Sequence, residues 1–499
     1  MNLFDNLWLG LGTALQWQHL LPLLAGCVLG SLAAATRRLG LLAVLAMLLP
    51  VLQHLDILPA MMAIVGVYCG ANGGVIGGWS GSPEQSNVAV AAFPRATATP
   101  HGASAMLAAA TPLVPLVAGL LGAGAIVAFA PLLIEQAFRF GPAEYFSLMA
   151  VGLTISVVFG PGSLVKAMST LILGVMLSQL SVDSATGHAL FNFQLDELEP
   201  GFGLIPMAMG LAAIARVTLT TASGKPPPSA PTATSAAAQQ PRFHLLRQWP
   251  QLLRGAVVGS LIGSVPGGGA RLASHVALAA EDKILRQQGA VGVDPIADPG
   301  PAAALVAAVR SSLVPLLAFG FPVNASLALM TGVMVGKEVA VGPQLMTSRP
   351  DLFWGSIAAV GVASVLLFLV SGVLGRLTLK AHKLALDWLP AVMVIYCCIG
   401  AYAMRNSAFD IFVLGAFALV GHWLFKFGCR IGPLIMGFVL GPMLESNLRH
   451  ALELSGGNWS VLITRPISAG LLLVAAGVVC AVMLPSLRQR RARIFDQED

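Results

Sequence analysis

Along this chain apolar residues do not alternate with polar ones. They run on for whole-helix lengths until a glycine, a proline or a short polar cluster stops them. Stretches 107–133, 145–158, 164–180, 202–217, 303–317, 353–374, 389–403, 411–425 and 468–484 all have this character. A full crossing of the bilayer takes about 20 predominantly apolar residues. With the shorter glycine-interrupted segments included, the pattern predicts roughly 12 crossings or part-crossings at that length. The expected fold class is therefore all-α, a polytopic integral membrane protein.

One of these runs interrupts itself. Residues 313–336 read "LVPLLAFGFPVNASLALMTGVMVG". An unpaired backbone N–H or C=O in hydrocarbon costs several kcal/mol, so such a break persists only where protein buries it or where it lines a wet cavity. Pro322 removes a helical donor and Gly320 lets the chain bend. The helix restarting beyond them presents N–H groups suited to a carboxylate, while unwound carbonyls suit a cation. Asn324 and Ser326 add neutral hydrogen-bonding groups. Gly320, Pro322, Asn324 and Ser326 are thus candidate ligand contacts, and Lys337 with Glu338 is expected to mark the end of the hairpin. The same polar dressing surrounds Pro83: Ser80, Gly81, Ser82, Gln85, Ser86 and Asn87. In "SVPGGGARLAS", residues 264–274, Gly267 and Gly268 could expose N–H groups to an anion. The Lys-Ser/Thr ending of a phosphate loop is missing there, so ATP is not expected to drive the protein.

Two fragments recur in order. "GCVLGSLAAATRRL" from Gly26 is repeated loosely as "GSLIGSVPGGGARL" from Gly259, and "GSPEQSNVAV" from Gly81 as "GFPVNASLAL" from Gly320, at nearly the same offset. Between the copies, residues 222–241 are rich in Pro, Ser, Thr, Ala and Gln and too poor in large apolars to bury a core. The organisation expected is a first membrane half (1–221), a flexible cytoplasmic linker (222–253), a second membrane half (254–486) and a basic cytoplasmic tail (487–499). Two inverted repeats with helix-breaking re-entrant hairpins would place a binding site near the bilayer midplane.

Composition supports the membrane reading. Of 499 residues, 56% are hydrophobic and only 10% charged, with a mean hydropathy of +0.81. An ordinary soluble enzyme carries more than twice that charge. The formal net charge of +6 follows positive-inside bias: Lys225, Arg242, Arg247 and Arg254 flank the linker, and Arg488, Arg490, Arg491 and Arg493 follow the last apolar run, placing both in the cytoplasm. The opening carries no Lys or Arg before Arg37, which puts the N-terminus outside and argues against a cleavable signal peptide. Outside the tail no basic patch is interleaved with aromatics, so no nucleic-acid partner is expected. The six cysteines are scattered through apolar runs and are expected to be small buried hydrophobes, without disulfide or metal.

Charges within apolar runs are costly and normally functional or paired. Glu84, Arg271, Arg310 and Asp410 are of this kind. Arg310 has three partners open to it: an anionic substrate, Glu84, or the membrane interface. Gly70, Gly74 and Gly78, four residues apart, fit either a close-packing helix face or a site.

Near the C-terminus, "GPMLESNLRHALELSGGNWSVLITRPISA" from Gly441 to Ala469 resembles the large permease subunit of the tripartite tricarboxylate transporter family. "FGPAEYFSLMAVGL" from Phe140, "GFGLIPMAMGL" from Gly201, "IGSVPGGGA" from Ile262 and "IGAYAMRNSAFDI" from Ile399 resemble it too. The resemblance implies a bacterial inner-membrane secondary transporter for carboxylates. It also implies a small four-helix membrane subunit and a periplasmic solute-binding protein as partners, and a coupling cation, usually Na+, with no other cofactor and no enzymatic activity. The polar positions depart from the family. Its Pro-Gly-Glu-Pro-Ala-Ser pattern aligns with Ser80-Gly81-Ser82-Pro83-Glu84-Gln85. Its Pro-Gly-Ser after the second break is Pro322-Val323-Asn324, its Pro-Glu…Asn-Asn segment aligns with Pro301-Ala302…Leu305-Val306, and Arg310 replaces a small residue. The function expected is uptake of an organic di- or tricarboxylate, coupled to Na+ or H+. The rival is a non-transporting membrane sensor or assembly scaffold on the same fold.

Overall fold

The computed structural model describes residues 3–35, 40–73, 113–158, 163–180, 202–222, 245–265, 269–287, 299–383 and 388–483. Among these the regular structure is entirely helical. The first half supplies α1 (Leu3–Leu15), α2 (Trp17–Ala35), α3 (Leu41–His54), α4 (Ile57–Gly73), α5 (Leu113–Ala137), α6 (Pro142–Val158) and α7 (Leu164–Ser178). It closes with α8 (Leu204–Ala208), a π-helical turn (Met209–Ile214) and α9 (Ala215–Ala222), which follow one another without interruption. The second half supplies α10 (Leu245–Ser264), α11 (Ala270–Gln287), α12 (Gly300–Ser311), α13 (Leu313–Phe319), α14 (Ala325–Gly336), α15 (Pro343–Ser348), α16 (Pro350–Lys383), α17 (Leu389–Arg405), α18 (Ala408–Lys426), α19 (Ile431–Leu454), α20 (Val461–Thr464) and α21 (Pro466–Met483).

Among the described residues six spans are long and apolar enough to cross a membrane: Trp17–Ala34, Leu113–Ala137, Gly300–Phe319, Pro350–Leu374, Ala408–Lys426 and Ile431–Leu454. Eight shorter apolar helices lie among them. Phe4, Trp8, Val165, Leu369, Phe412 and Leu473 point outward and exposed, as lipid-facing side chains do. Gly300–Phe319 is the exception, with 89% of its window buried inside the protein. The chain is a multi-pass helical membrane protein built around that segment.

Lipid tails are as apolar as leucine, so helices in a bilayer associate through close contact at small residues. On α2 and α4 a side chain added at Gly26 would strike the Ala63 carbonyl, one at Gly30 the Val67 carbonyl, and one at Gly70 the Cys27 carbonyl. Gly70 is therefore a packing glycine; Gly74 and Gly78 lie outside the described residues. The same arrangement recurs between α10 and α12, where Gly255 meets Gly300, Gly259 meets Ala304 and Gly263 meets Ala308. Other pairings recur as well. The α5 helix packs on α10 and α12, as α16 packs on α2 and α4. Likewise α7 packs on α19, as α18 packs on the π-helical turn and its flanks.

Ion pairs fasten the corners. Asp410, 1% exposed, receives two hydrogen bonds from the Arg405 guanidinium, at 3.0 and 2.8 Å. It is a paired charge at the start of α18. Glu144 accepts from the Gly141 N–H at 2.9 Å and from Arg465 at 3.3 Å, and Ser147 and Ser468 meet at 2.7 Å. The segments "FGPAEYFSLMAVGL" and "TRPISA" thus clamp α6 to α21.

Two expectations need correction. Residues 245–253 are helical, because buried Leu252 anchors the start of α10 to the apolar cluster containing Val114 and Ala303. Cys480, on the outer face of α21, is exposed, whereas Cys27, Cys69 and Cys397 are buried.

Candidate functional site

The break within the buried segment is built by four consecutive backbone choices. Gly320 ends α13 in the left-handed conformation, φ 74°, which L side chains adopt only at a cost of about 1–2 kcal/mol. Its N–H donates to the Leu316 carbonyl at 2.9 Å, and the Phe321 N–H reaches the Pro315 carbonyl at 3.3 Å. Pro322 then offers no N–H. Asn324 turns the chain to extended backbone (φ −149°, ψ 165°), and α14 begins. A second left-handed glycine, Gly342 (φ 91°), lies directly against the bend: a side chain there would come within 3.0 Å of the Gly320 nitrogen. Phe321 is fully buried with its ring against Gly152 of α6, and Phe319 stacks on Phe140 with centroids 5.7 Å apart. The break is enclosed in protein, as an irregular segment at membrane depth must be.

Asn324 uses both ends of its amide. Oδ1 accepts the Leu327 N–H at 2.9 Å, capping α14. That fixes Nδ2 as the other end, and it donates to the Tyr68 hydroxyl of α4 at 3.0 Å. Ser312, at the joint between α12 and α13, lies 2.9 Å from the same hydroxyl and donates to the Val309 carbonyl at 2.7 Å. The direction of the whole chain follows. An amide nitrogen only donates and a carbonyl only accepts, so protons run from Asn324 to Tyr68, from Tyr68 to Ser312, and from Ser312 to Val309. Break, first-half helix and second-half joint are tied into one network.

Arg310 stands one helical step away. Its side chain is fully buried, and Nη2 donates to the Cys69 carbonyl at 3.1 Å, beside Tyr68. Nε and Nη1 are buried without a hydrogen-bond partner among the described residues. The interface reading of Arg310 is overturned, since a snorkelling head group must reach water. Its stem lies beneath α5, where a side chain at Gly122 would come within 2.7 Å of its Cβ.

Of the residues singled out in the sequence, the break brings together Gly320, Pro322, Asn324 and buried Ser326, with Arg310 joined through Cys69 and Tyr68. Ser80, Gly81, Ser82, Pro83, Glu84, Gln85, Ser86, Asn87, Gly267 and Gly268 lie outside the described residues. Lys337 caps two structures at once: it follows α14 and its ammonium donates to the Gln53 and Leu55 carbonyls at the end of α3, at 2.9 and 2.6 Å. Tyr68 and Ser312 were not anticipated. The available signal was that Tyr68 is one of only four tyrosines, set in an apolar run where a hydroxyl needs a partner. Among the described residues no group of three or more His, Cys, Asp or Glu could hold a metal ion.

Apolar helices enclosing a polar, donor-rich break define a multi-pass membrane protein with an interior polar site. The chain belongs to the tripartite tricarboxylate transporter TctA family, whose model matches residues 20–436. It is similar to an Agrobacterium vitis protein described as "Uncharacterized 52.8 kDa protein in TAR-I ttuC' 3'region", 31% identical over 506 aligned residues and spanning all of both chains. A second A. vitis protein, "Uncharacterized protein in TAR-II ttuC' 3'region", is 36% identical over 246 residues, covering 48% of this chain and all of that one. No solved structure matches the chain.

Proposed function

We propose that this protein is the large permease subunit of a binding-protein-dependent secondary transporter that takes up an organic di- or tricarboxylate, driven by a Na+ or H+ gradient. The observation that carries the reading is the buried helix break of a transporter-family chain, lined by the Asn324 amide and the Tyr68 and Ser312 hydroxyls. Its counterpart in the first half is the segment from Ser80 to Asn87. At 12 residues, α14 is about 18 Å long, well short of a crossing, which favours a re-entrant hairpin there. The recurring glycine contacts of α2–α4 and α10–α12 favour a duplication whose halves face opposite ways in the membrane. The hairpins move as a unit against a static scaffold, in this reading. A periplasmic solute-binding protein and a small four-helix membrane subunit complete the assembly in the bacterial inner membrane, with the C-terminus cytoplasmic.

Uptake by reconstituted vesicles tests this. The protein is co-expressed with a small four-helix subunit and a solute-binding protein from the same source, and radiolabelled citrate and succinate are supplied outside with an inward Na+ or H+ gradient. Accumulation that collapses with an ionophore is expected. Vesicles that remain empty under both gradients, with correctly inserted protein, would favour the assembly-scaffold alternative.

A further inference from the structure

We infer that Arg310, which has no acidic partner among the described residues, is a resident positive charge neutralised by the cargo, so that the cargo's carboxylate docks on its Nε and Nη1 and neutral analogues are rejected. This deepens the function proposed above and rests on it. A guanidinium does not lose its proton in a protein. Burial of an unpaired charge is heavily penalised, and a buried lysine or carboxyl escapes the penalty by neutralising. Arginine has no such escape. Here it is fully buried, its Nη2 donates to the neutral Cys69 carbonyl, and the other two of its three nitrogens have no partner among the described residues. No carboxylate lies within ion-pair distance of it among those residues, whereas Arg254, Arg349, Arg405, Arg449 and Arg465 each have one. Among the described residues the neighbouring groups are neutral: the Cys69 carbonyl with Tyr68 beside it, and Gly119, which packs on Ser364 and whose added Cβ would lie 3.8 Å from Nε. Glycines at 119 and 122 let α5 pack closely over the Arg310 side chain: an added Cβ at Gly122 would meet the Arg310 Cβ at 2.7 Å, and one at Gly119 would collide with Ser364. A buried cation that cannot discharge, with two nitrogens unpartnered among the described residues and beside a buried helix break, has the chemistry of an anion site.

The ligand class follows from the same groups. Guanidinium, hydroxyl and amide match a carboxylate with a further polar substituent, and a neutral amide offers nothing to offset the charge.

Thermal unfolding of the detergent-solubilised wild-type protein and of Arg310→Lys, Arg310→Gln and Arg310→Met tests the assignment, with citrate, succinate, succinamide, chloride and phosphate as probes. Citrate or succinate should raise the wild-type midpoint, while succinamide should leave it unchanged. Arg310→Gln should weaken carboxylate affinity about 10- to 100-fold, the range for a hydrogen bond to a charged group, and Arg310→Lys should lie between. The ligand-free Arg310→Met protein should unfold at a higher temperature than ligand-free wild type, because an uncompensated buried charge is gone. A merely structural arginine would give the opposite shift. Equal stabilisation of wild type and Arg310→Gln by citrate would overturn the assignment even if vesicles take up citrate, leaving the transport function standing. Stabilisation by chloride or phosphate matching that of citrate would also overturn it. A wild type that binds no carboxylate would count against both.

Discussion

Asn324→Leu is expected to abolish carboxylate uptake while the protein still reaches the membrane in normal amount. Leucine nearly matches asparagine in size but removes the acceptor that caps α14 and the donor that holds Tyr68. Loss of an N-cap costs about 1 kcal/mol, and Tyr68 keeps Ser312 as a partner. The penalty in stability is therefore small beside the total of about 5–15 kcal/mol for a folded domain. The penalty in function is large, since the same residue presents the polar face of the break. Asn324→Asp separates the two roles. It preserves the cap, and at a helix N-terminus its charge is welcome, but it cannot donate to Tyr68 and it places a negative charge where a carboxylate is proposed to bind. Transport should fail in Asn324→Asp despite undiminished thermal stability. Uptake unchanged in Asn324→Leu would move the site elsewhere.

Replacing either packing glycine of a matched pair should remove folded protein from the membrane. A side chain at Gly30 collides with the Val67 carbonyl, and one at Gly263 with the Ala308 carbonyl and Ser311. Both obstacles include helix backbone, so relief requires α2 to separate from α4, or α10 from α12. Overpacking of this kind costs about 3 kcal/mol, and in a bilayer the separated helices gain no hydrophobic compensation. Gly30→Leu and Gly263→Leu should therefore reduce the monodisperse yield from mild detergent to a similar extent, while Gly124→Leu, facing open space, should not. If one member of the pair tolerates leucine and the other does not, the two halves are not equivalent.

Much of this fold can be read from the apolar runs alone. The runs from 164 and from 389 correspond to α7 and α17, whose starts at Leu164 and Leu389 agree with the pattern, because each start follows a polar or proline-marked turn. The run 303–317 proved to be two helices, α12 and α13. Their joint at Ser312 lies just ahead of Pro315, which has no N–H for the Ser311 carbonyl and whose ring crowds it, a stop signal that the continuous apolar run masks. The second break was legible because Gly320 and Pro322 leave a chain few options. What it contacts was not. Nothing local to Tyr68 says that its hydroxyl meets Asn324, a residue 256 positions later. The segments that carry the family resemblance, with Glu144, Arg405, Asp410 and Arg465, hold helix corners together. The polar positions of the break, where this chain departs from the family pattern, are those of the proposed site. Arg310 shows the same division: its presence in an apolar run announces a role, and the proposed one rests on its burial and on two nitrogens unpartnered among the described residues.

The most direct test of two breaks sharing one cargo is a proximity measurement. Ser82→Cys and Val323→Cys are combined in a protein whose six native cysteines have been replaced, and exposed to a short bifunctional thiol reagent in membranes. The pair should crosslink within one chain, and citrate should slow the reaction by occupying the space between. Both single cysteines labelling normally while the pair never crosslinks, with or without citrate, would contradict it.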